Sequence, residues 1–384
     1  MNDSNFVIHH IGGRAGTRSF PIVPALEHEF VVVMYEASDD GNEQIVNYGN
    51  KKGTGKTILV NACIGAPDQE QIFHLNRDPC TSSLVQLAPA YSNYYLEIEN
   101  YDYVMGDAIS TVREEKVFTE ALDQIIKSKN LPICDFLSID TQGSELEILR
   151  GAEETLKGCV GVRLEVVFER IYAGQPLFGE IDVFMRDHGF KFIRFTDLKE
   201  WAPRTLASDL RGTKLHVETD AIYFRSPESL SQFQIYPFLL TAIVFGQTEF
   251  ASHVIKLLGR PSPIVANKMW IKFCDSFITL ISRDQNLRPS LSEKVTIEQS
   301  FARFVDKDPR SESVTDFKSA LRKAFWMTPP SIRKQVQRVE RWYRKWHSAR
   351  KRRRLKTSEV EALYQSVGLG KLAEELKLAR SFRI

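Results

Sequence analysis

The chain lacks the cysteine patterns that mark disulfide-bonded or zinc-binding proteins. Its 384 residues include five cysteines, an odd number, and no two of them form a C-x-x-C pair: Cys63, Cys80, Cys134, Cys159 and Cys274. Disulfide frameworks usually use an even number of cysteines, and structural zinc sites need closely spaced thiolate or imidazole ligands. We therefore expect reduced thiols, a cytoplasmic protein and no metal site.

The chain also lacks a hydrophobic run long enough to cross a membrane. The longest apolar run, residues 235–246, includes a proline and is much shorter than the roughly 20 residues of a spanning helix. We interpret it as a core helix. The first residues include Asn2, Asp3, His9 and His10 and show no apolar core of a signal peptide, so we expect the chain to stay in the cytoplasm.

A true phosphate-binding loop is missing as well. Residues 49–57 read G-N-K-K-G-T-G-K-T, but the motif requires glycine where Asn50 stands. Residues 57–60 then begin a predicted strand, whereas the motif leads into a helix. We therefore expect no ATP or GTP at this loop.

Charge divides the chain into two parts of opposite sign. Residues 1–228 hold 22 Lys+Arg against 35 Asp+Glu, a net charge of −13, while residues 229–384 hold 29 against 14, a net of +15. The length and the 43% hydrophobic content suit two globular cores. We predict a first domain over residues 1–228 and a helical domain over residues 229–384, with different partners or with mutual attraction.

The most informative stretch predicts a buried strand, a polar turn and a helix. Residues 135–152 read D-F-L-S-I-D-T-Q-G-S-E-L-E-I-L-R-G-A, with a short apolar run followed by apolar residues at helical spacing. Ligands of open α/β sheets bind beyond the carboxyl ends of the strands, which would place Asp140, Gln142 and Glu145 in a crevice. A simpler interpretation is that Asp140 and Ser144 only cap the helix, with Glu145 favoured by its positive end.

Two earlier strands predict a nucleotide-like ligand. Residues 6–11 read as a strand that leads into a glycine loop with Gly12 and Gly16, where the backbone could approach a cofactor closely. A second strand, residues 30–35, ends in Glu36, and an acidic residue there can accept hydrogen bonds from both ribose hydroxyls. A single glycine loop is a weak signal, so Glu36 is the stronger indication.

A longer pattern names a family. Residues 162–178, V-R-L-E-V-V-F-E-R-I-Y-A-G-Q-P-L-F, together with the stretch at 135–152, closely resemble the signature of the FkbM-type S-adenosylmethionine (SAM)-dependent methyltransferases. The resemblance runs from about Ile8 to Arg225. It implies an α/β fold with a doubly wound, seven-strand class I methyltransferase (Rossmann-like) sheet and SAM as the cofactor. It also implies methyl transfer to a hydroxyl of a sugar, a glycan or a secondary metabolite.

The resemblance extends the set of cofactor residues. The family has an aspartate before the first glycine loop, and His10 stands in its place. A neutral histidine could replace only the hydrogen bonds of that aspartate, so either the contacts to the cofactor are altered or catalysis is lost. Ser82 and Ser83 resemble the Ser-Ser loop of the family and would bind the cofactor carboxylate, although a hydroxyl-rich turn explains them equally well.

The acceptor side is predicted from the same signature. Asp140 is the first candidate for the base that removes the hydroxyl proton and Glu165 is the second, because a carboxylate inside an apolar strand is costly unless it is functional or ion-paired. Gln142 would orient the cofactor or the acceptor. The remaining candidates for contact with the acceptor are Glu145, Glu169, Tyr172 and Gln175.

Two other functions compete with methyl transfer. A protein that retains the fold and binds SAM or acts as a scaffold without catalysis would explain His10 and would work through its helical domain. An enzyme with Mg²⁺ on Asp140 and Glu165 suits the preference of this ion for oxygen ligands, but the sequence offers too few further ligands.

A basic amphipathic helix is predicted over residues 332–356. Apolar and aromatic residues recur at three- and four-residue spacing, and residues 331–360 carry 12 Lys+Arg and two acids. This pattern favours contact with an anionic membrane surface or an acidic partner, or else a helix whose basic face is merely solvated. We do not expect nucleic acid as the partner.

Overall fold

The computed structural model describes residues 5–12, 20–21, 23–37, 56–98, 101–261 and 268–287. The strands in these ranges are β1 (Phe6–Ile11), β2 (Phe30–Glu36), β3 (Lys56–Asn61), β4 (Cys63–Ile64), β5 (Gln69–Asn76), β6 (Tyr94–Ile98), β7 (Tyr101–Val104), β8 (Thr111–Glu120), β9 (Phe136–Ile139), β10 (Gly161–Val167), β11 (Phe190–Pro203) and β12 (Leu215–Arg225). The helices are α1 (Met105–Ala108), α2 (Leu122–Ser128), α3 (Glu145–Arg150), α4 (Glu153–Gly158), α5 (Phe178–Asp187), α6 (Ile235–Val244), α7 (Thr248–Leu258) and α8 (Met269–Leu287).

Nine strands form one mixed sheet in the order β3-β2-β1-β9-β10-β12-β11-β6-β7. The first five run parallel, and β12 is antiparallel to both of its neighbours. The α/β class is therefore as predicted, but the sheet has nine strands where we expected seven. The two additional strands, β6 and β7, form a hairpin that extends the sheet beyond β11.

A second, three-stranded sheet in the order β4-β8-β5 stands beside the first one. Ala62 alone separates β3 from β4 along the chain, so the chain passes from the large sheet into the small one almost without a break. The strand predicted to begin at residues 57–60 is β3, which starts at Lys56 and lies in the large sheet.

The large sheet is covered on both faces. One face buries aliphatic side chains such as Val7, Leu137 and Val162 against α2, α3, α4 and α5. The other face is aromatic: the ring of Phe224 lies 5.8 Å from that of Phe238 in α6 and 5.9 Å from that of Phe245 at its end. Helices on both faces bury the strands between them, and every residue of β1, β2 and β9 is buried.

Helix α6 is the core helix predicted for the longest apolar run, since all but its last residue is buried. The chain divides into two compact units, Met1–Ile278 with Leu369–Ile384, and Thr279–Gly368. Helices α6 and α7 therefore belong to the same unit as the sheet, although they follow residue 228. The described part of the second unit is residues 279–287, so the extent of a separate helical domain stays a prediction.

The start of α8 is capped by the carboxylate of Glu29, the residue immediately before β2. Glu29 Oε1 accepts a hydrogen bond from Met269 N at 2.8 Å, and its Oε2 accepts one from Trp270 N at 2.7 Å. The first backbone N–H groups of a helix have no partner within the helix, and a carboxylate satisfies them while it interacts favourably with the positive end of the helix dipole.

Candidate active site

The site lies where the winding of the sheet reverses, between β1 and β9. From β1 the order continues through β2 to β3 on one side, and from β9 through β10 on the other. At such a switch point the loops after adjacent strands diverge and leave a crevice. Backbone hydrogen bonds join its two walls to the strands: Asp140 N donates to Ile11 O at 3.0 Å, and Gly12 N donates to Tyr35 O at 3.2 Å.

Gly12 is required by this close approach. Its φ is +86°, and a Cβ placed on it would lie 1.7 Å from the carbonyl oxygen of Asp140. No other residue can occupy that space without moving the turn after β9. The first glycine of the predicted cofactor loop is therefore needed for the junction of two strands.

The turn after β9 has the predicted strand–turn–helix form, and Glu145 closes it. The Glu145 carboxylate accepts hydrogen bonds from Thr141 N at 3.1 Å and from Gly143 N at 3.0 Å. It is 1% exposed, and burial raises its pKa. These hydrogen bonds within the turn occupy the carboxylate, so the structure gives no support to the predicted contact of Glu145 with the acceptor. The expected capping by Ser144 is also absent, since its hydroxyl donates to Thr141 Oγ1 instead.

Gln142 connects the two candidate bases. Its Nε2 donates to Asp140 Oδ1 and to Glu165 Oε2, both at 2.9 Å. Its Oε1 accepts a hydrogen bond from the Tyr172 hydroxyl at 3.1 Å. Its carbonyl oxygen accepts one from Ser83 Oγ at 2.7 Å. All five residues of this network are candidates that the sequence predicts for the site. The hydrogen bonds among them were not predicted, and their roles towards a ligand stay predictions.

A pocket with about 630 Å³ of empty space, part of it open to solvent, lies over these strand ends. Its lining comes from both sheets and the loops between them: Ile11, Gly12, Tyr35, Glu36, Ala37, Ala62, Cys63, Ile64, Phe73, Leu75, Pro79, Cys80, Ser82, Leu84, Asp140, Thr141, Gln142 and Ser144. Burial, with Glu36 and Glu147 nearby, raises the pKa of the Cys63 thiol to about 12, so the thiol stays protonated.

Five of the predicted residues line this pocket: Gly12, Glu36, Ser82, Asp140 and Gln142. Gly16 lies outside the described residues. The other predicted residues lie behind the pocket wall or at the surface, namely His10, Ser83, Glu145, Glu165, Glu169, Tyr172 and Gln175. The apolar wall of Ile64, Phe73, Leu75 and Leu84 was not predicted, because three of these residues come from the small sheet and the fourth from the loop after β5.

Ser83 and Gln175 hold loops. Besides its bond to Gln142, Ser83 Oγ accepts a hydrogen bond from Val85 N at 3.1 Å, so the hydroxyl is used on both sides. Gln175 is 2% exposed, and its Oε1 accepts from Tyr172 N at 3.2 Å. The structure therefore gives no support to the predicted contacts of Ser83 with the cofactor and of Gln175 with the acceptor.

The predicted acceptor residues Tyr172 and Glu169 differ in exposure. Tyr172 is fully buried, and its hydroxyl lies in the network around Gln142. Glu169 is exposed, and its Oε2 accepts a hydrogen bond from the Tyr91 hydroxyl at 2.9 Å. Of these two residues, only Glu169 is open to a molecule that approaches from solvent.

His10 is buried in β1, and its Nδ1 lies 3.0 Å from Ser138 Oγ. Its Nε2 has no hydrogen-bond partner among the described residues. Burial, and next the nearby Arg163 guanidinium, lower the pKa of His10 to about 4. The ring is therefore neutral at pH 7, so His10 can replace the hydrogen bonds of the family's aspartate but not its charge.

Glu165 lies near further charges from β10, β11 and β12, of which Glu218 is buried. Lys199 Nζ pairs with Glu218 Oε1 at 2.8 Å, and Arg163 pairs with Asp220 at 2.5 Å. Burial, with Glu218 and then Asp140 nearby, raises the pKa of Glu165 well above its usual range. Glu165 Oε2 accepts its hydrogen bond from the side-chain amide of Gln142.

A comparison with known protein families identifies this arrangement. Residues 23–192 match the sequence model described as the methyltransferase FkbM domain. The chain contains an FkbM methyltransferase domain. The resemblance drawn from the sequence is thereby confirmed, and the family implies a methyltransferase with SAM as its cofactor.

The similarity to solved structures is distant. Magnesium protoporphyrin IX methyltransferase from Synechocystis, solved with bound SAM, shows 10% identity and a TM-score of 0.30 over 58% of this chain and 71% of that one. Precorrin-6y C5,15-methyltransferase from Geobacter metallireducens shows 14% identity and a TM-score of 0.31 over 58% and 81%. A dimethyladenosine transferase from Plasmodium falciparum shows 12% identity and a TM-score of 0.26 over 72% and 82%. No curated protein sequence matches the chain.

The pocket of the FkbM domain fits its cofactor in chemistry. Glu36 and Gly12 both belong to its lining, and a carboxylate at the end of the second strand is of the type that accepts hydrogen bonds from ribose hydroxyls. The apolar side chains of Ile64, Phe73 and Leu84 suit an adenine ring. Among the described residues, no group of three or more His, Cys, Asp or Glu side chains is arranged to hold a metal ion, and all five cysteines are free thiols.

Proposed function

We propose that this protein transfers the SAM methyl group to a hydroxyl oxygen of a sugar, a glycan or a hydroxylated secondary metabolite, with Asp140 as the base. The observation that carries the proposal is the position of Asp140: it lines the pocket at the switch point between β1 and β9, as does Glu36 at the end of β2. We place the strands β3-β2-β1-β9-β10-β12-β11 as the seven strands of a class I methyltransferase sheet, with β6 and β7 added at the edge.

The cofactor, when bound, supplies a methyl carbon that its sulfonium already activates. The protein then has to hold the acceptor oxygen in line with that carbon and remove the hydroxyl proton. Glu36 would bind the ribose, and the backbone at Gly12 would allow close approach. Ser82 would add a hydroxyl at the rim, although its Oγ also accepts a hydrogen bond from Asn76 N at 3.1 Å. Asp140 would take the proton from the acceptor.

Glu165 is the weaker of the two candidate bases. It is 6% exposed and does not line the pocket. Burial, with Glu218 and Asp140 nearby, raises its pKa well above the usual range, which disfavours the ionised form that a general base requires. Asp140 is half-buried and lines the pocket, so the base is assigned to Asp140.

The test is Asp140→Asn, which keeps the shape of the side chain and removes the proton acceptor. General-base catalysis contributes about 10² to 10⁴ in rate, so methyl transfer should fall by that factor while SAM affinity changes little. Transfer of an isotope-labelled methyl group to a panel of sugars and hydroxylated metabolites measures the first, and calorimetry measures the second. Transfer at the wild-type rate in the variant would show that alignment alone drives the reaction.

The competing proposal, a SAM-binding protein without catalysis, rests on His10. A buried neutral imidazole stands where the family has an aspartate, and its Nε2 has no partner among the described residues. This proposal gains support if the wild-type protein binds SAM but transfers no methyl group to any acceptor offered.

The basic segment at residues 332–356 lies outside the described residues, and its role is a proposal from the sequence alone. We propose that it docks a cytoplasmic enzyme peripherally onto an anionic membrane surface. Among the described residues, no helix is both long and apolar enough to cross a membrane. A basic residue near an anionic bilayer contributes about 1 kcal/mol, so neutralising residues 350–354 should cost several kcal/mol of vesicle binding, and salt should have a similar effect.

Vesicles of neutral lipid provide the control for this experiment. If the same neutralised variant loses thermal stability, and the wild type binds no vesicles, the segment instead contacts the acidic first domain. If neither vesicle binding nor stability responds, the basic face is plain solvated surface.

A further inference from the structure

The side-chain amide of Gln142 forms hydrogen bonds to two carboxylates and so bridges them. Both of its 2.9 Å hydrogen bonds, to Asp140 Oδ1 and to Glu165 Oε2, come from the single nitrogen Nε2. Ionised carboxylate oxygens only accept hydrogen bonds, so the amide has to turn its NH₂ group towards them. The opposite end, Oε1, is then free to accept from the Tyr172 hydroxyl at 3.1 Å.

The backbone of Gln142 is held in a conformation that residues with side chains seldom adopt. Its φ is +60°, in the left-handed region. Ser83 Oγ donates to its carbonyl oxygen at 2.7 Å, and Glu145 binds the N–H of the next residue, Gly143. A strained residue persists where its surroundings determine it fully, and such positions cluster at functional sites.

Asp140 and Glu165 differ in their access to the pocket. Asp140 lines it and is half-buried, whereas Glu165 is 6% exposed and lies behind the wall. A hydrogen bond to an ionised carboxylate favours ionisation, while a second carboxylate nearby opposes it. The amide of Gln142 therefore supplies Asp140 with a donor and separates it from a like charge.

We propose that Gln142 is a positioning residue that fixes the Asp140 carboxylate in the pocket and donates a hydrogen bond to it beside Glu165, with Ser83 and Tyr172 holding Gln142 in turn. The catalytic meaning of this arrangement rests on the proposed function, in which Asp140 is the base. The arrangement itself does not depend on that function, because it concerns hydrogen bonds that the folded protein makes without a substrate.

The experiment is a titration of the Asp140 carboxyl carbon by ¹³C NMR in protein labelled at the side-chain carboxyl of aspartate, with Asp140→Asn to assign the signal. Gln142→Ala should raise the midpoint of Asp140 by about one pH unit or more, because it removes the donor and leaves two carboxylates facing each other. Tyr172→Phe and Ser83→Ala should raise it by less, since the amide remains but is held less firmly.

The matched control is Gln124→Ala, which removes an amide that accepts a hydrogen bond from Ala121 N at the start of α2, away from the pocket. It should leave the Asp140 midpoint unchanged. A purely structural role for Gln142 would lower stability without moving that midpoint. A midpoint in Gln142→Ala within about 0.3 pH unit of the wild type would overturn the proposal, and if this variant does not fold, unchanged midpoints in both Tyr172→Phe and Ser83→Ala would do the same.

Calorimetry with SAM from pH 5 to pH 8 adds a second measurement. Because Asp140 lines the pocket, the pH at which SAM affinity falls should move upward in Gln142→Ala together with the NMR midpoint. If the wild type binds no SAM at any pH, the cofactor assignment fails, while the Asp140 titration still decides the role of Gln142.

Discussion

Asp135 carries a carboxylate whose burial should weaken the fold at neutral pH. It precedes β9, and its Oδ2 accepts a hydrogen bond from Val7 N in β1 at 2.8 Å. Burial raises its pKa from 3.8 to about 7. Between these values the folded protein keeps the proton and the unfolded chain has lost it, so stability falls as pH rises through this window. The shift of about 3 pH units corresponds to roughly 4 kcal/mol at most.

Asp135→Asn removes the charge and keeps an oxygen for the N–H of Val7. The hydrogen bond becomes neutral, which should cost about 1 kcal/mol. We therefore expect the variant to be about 1 to 3 kcal/mol more stable than the wild type at pH 8 and no more stable at pH 4. Urea unfolding at several pH values between 4 and 8 measures the difference.

The control is Asp187→Asn, which removes an exposed carboxylate at the end of α5 and should change stability little at any pH. A stability difference for Asp135→Asn that is constant with pH, or that favours the variant more strongly in acid, would refute the reasoning. The first result would mean that Asp135 ionises in the folded protein as it does in the unfolded chain, and the second that its pKa is lower in the folded protein.

Two further substitutions test contacts at either end of β2. Glu36→Ala leaves ribose hydroxyls without their acceptor and should weaken SAM binding by about 1.5 to 3 kcal/mol, or roughly 10- to 150-fold, in calorimetry; unchanged affinity in a folded variant would remove Glu36 from the site. Glu29→Ala leaves the N–H groups of Met269 and Trp270 without their carboxylate and should lower the free energy of unfolding by a similar amount. The control is Glu27→Ala, at a half-buried position in the short 3-10 helix Pro24–Glu29 that precedes β2 and contains Glu29. An equal loss of stability in a thermal melt of this control would exclude a specific role of Glu29 in capping α8.

The central strands could be predicted because their signal is local. β1, β2 and β9 are short apolar runs bounded by glycine or polar residues, as expected for parallel strands covered on both faces. The turn after β9 carried its own signature, and a carboxylate at the end of β2 has a position that follows from topology. For these reasons the sequence located Gly12, Glu36, Asp140 and Gln142 at the pocket that they line, while their roles towards a ligand stay predictions.

The partners of these residues could not be predicted because they depend on contacts between distant segments. Lys199 reaches the site through a strand with register shifts on either side of it, and no sequence spacing reports such shifts. The tyrosine-rich segment that forms β6 and β7 shows no clear period. The buried Glu218 in β12 was the available signal, since a buried charge needs a partner or a function.

Polar residues at a turn posed a different difficulty. Glu145, Ser83 and Gln175 have side chains suited to binding a ligand, yet their hydrogen bonds go to neighbouring backbone groups. Which of the two uses wins depends on the local path of the backbone. The positive φ of Gln142 and of Gly143 turns the backbone so that Ser83 bonds the C=O of Gln142 and Glu145 bonds the N–H of Gly143.

The pocket has one wall in each of two sheets, with Gly12 and Glu36 following strands of the large sheet and Ile64, Phe73 and Leu75 within strands of the small one. Only Ala62 separates the strand of one sheet from that of the other at this point. A molecule bound here would therefore bridge two sheets as well as occupy a crevice. Local unfolding of the small sheet would then have to expel the ligand, so the loaded protein should open there less often than the empty one.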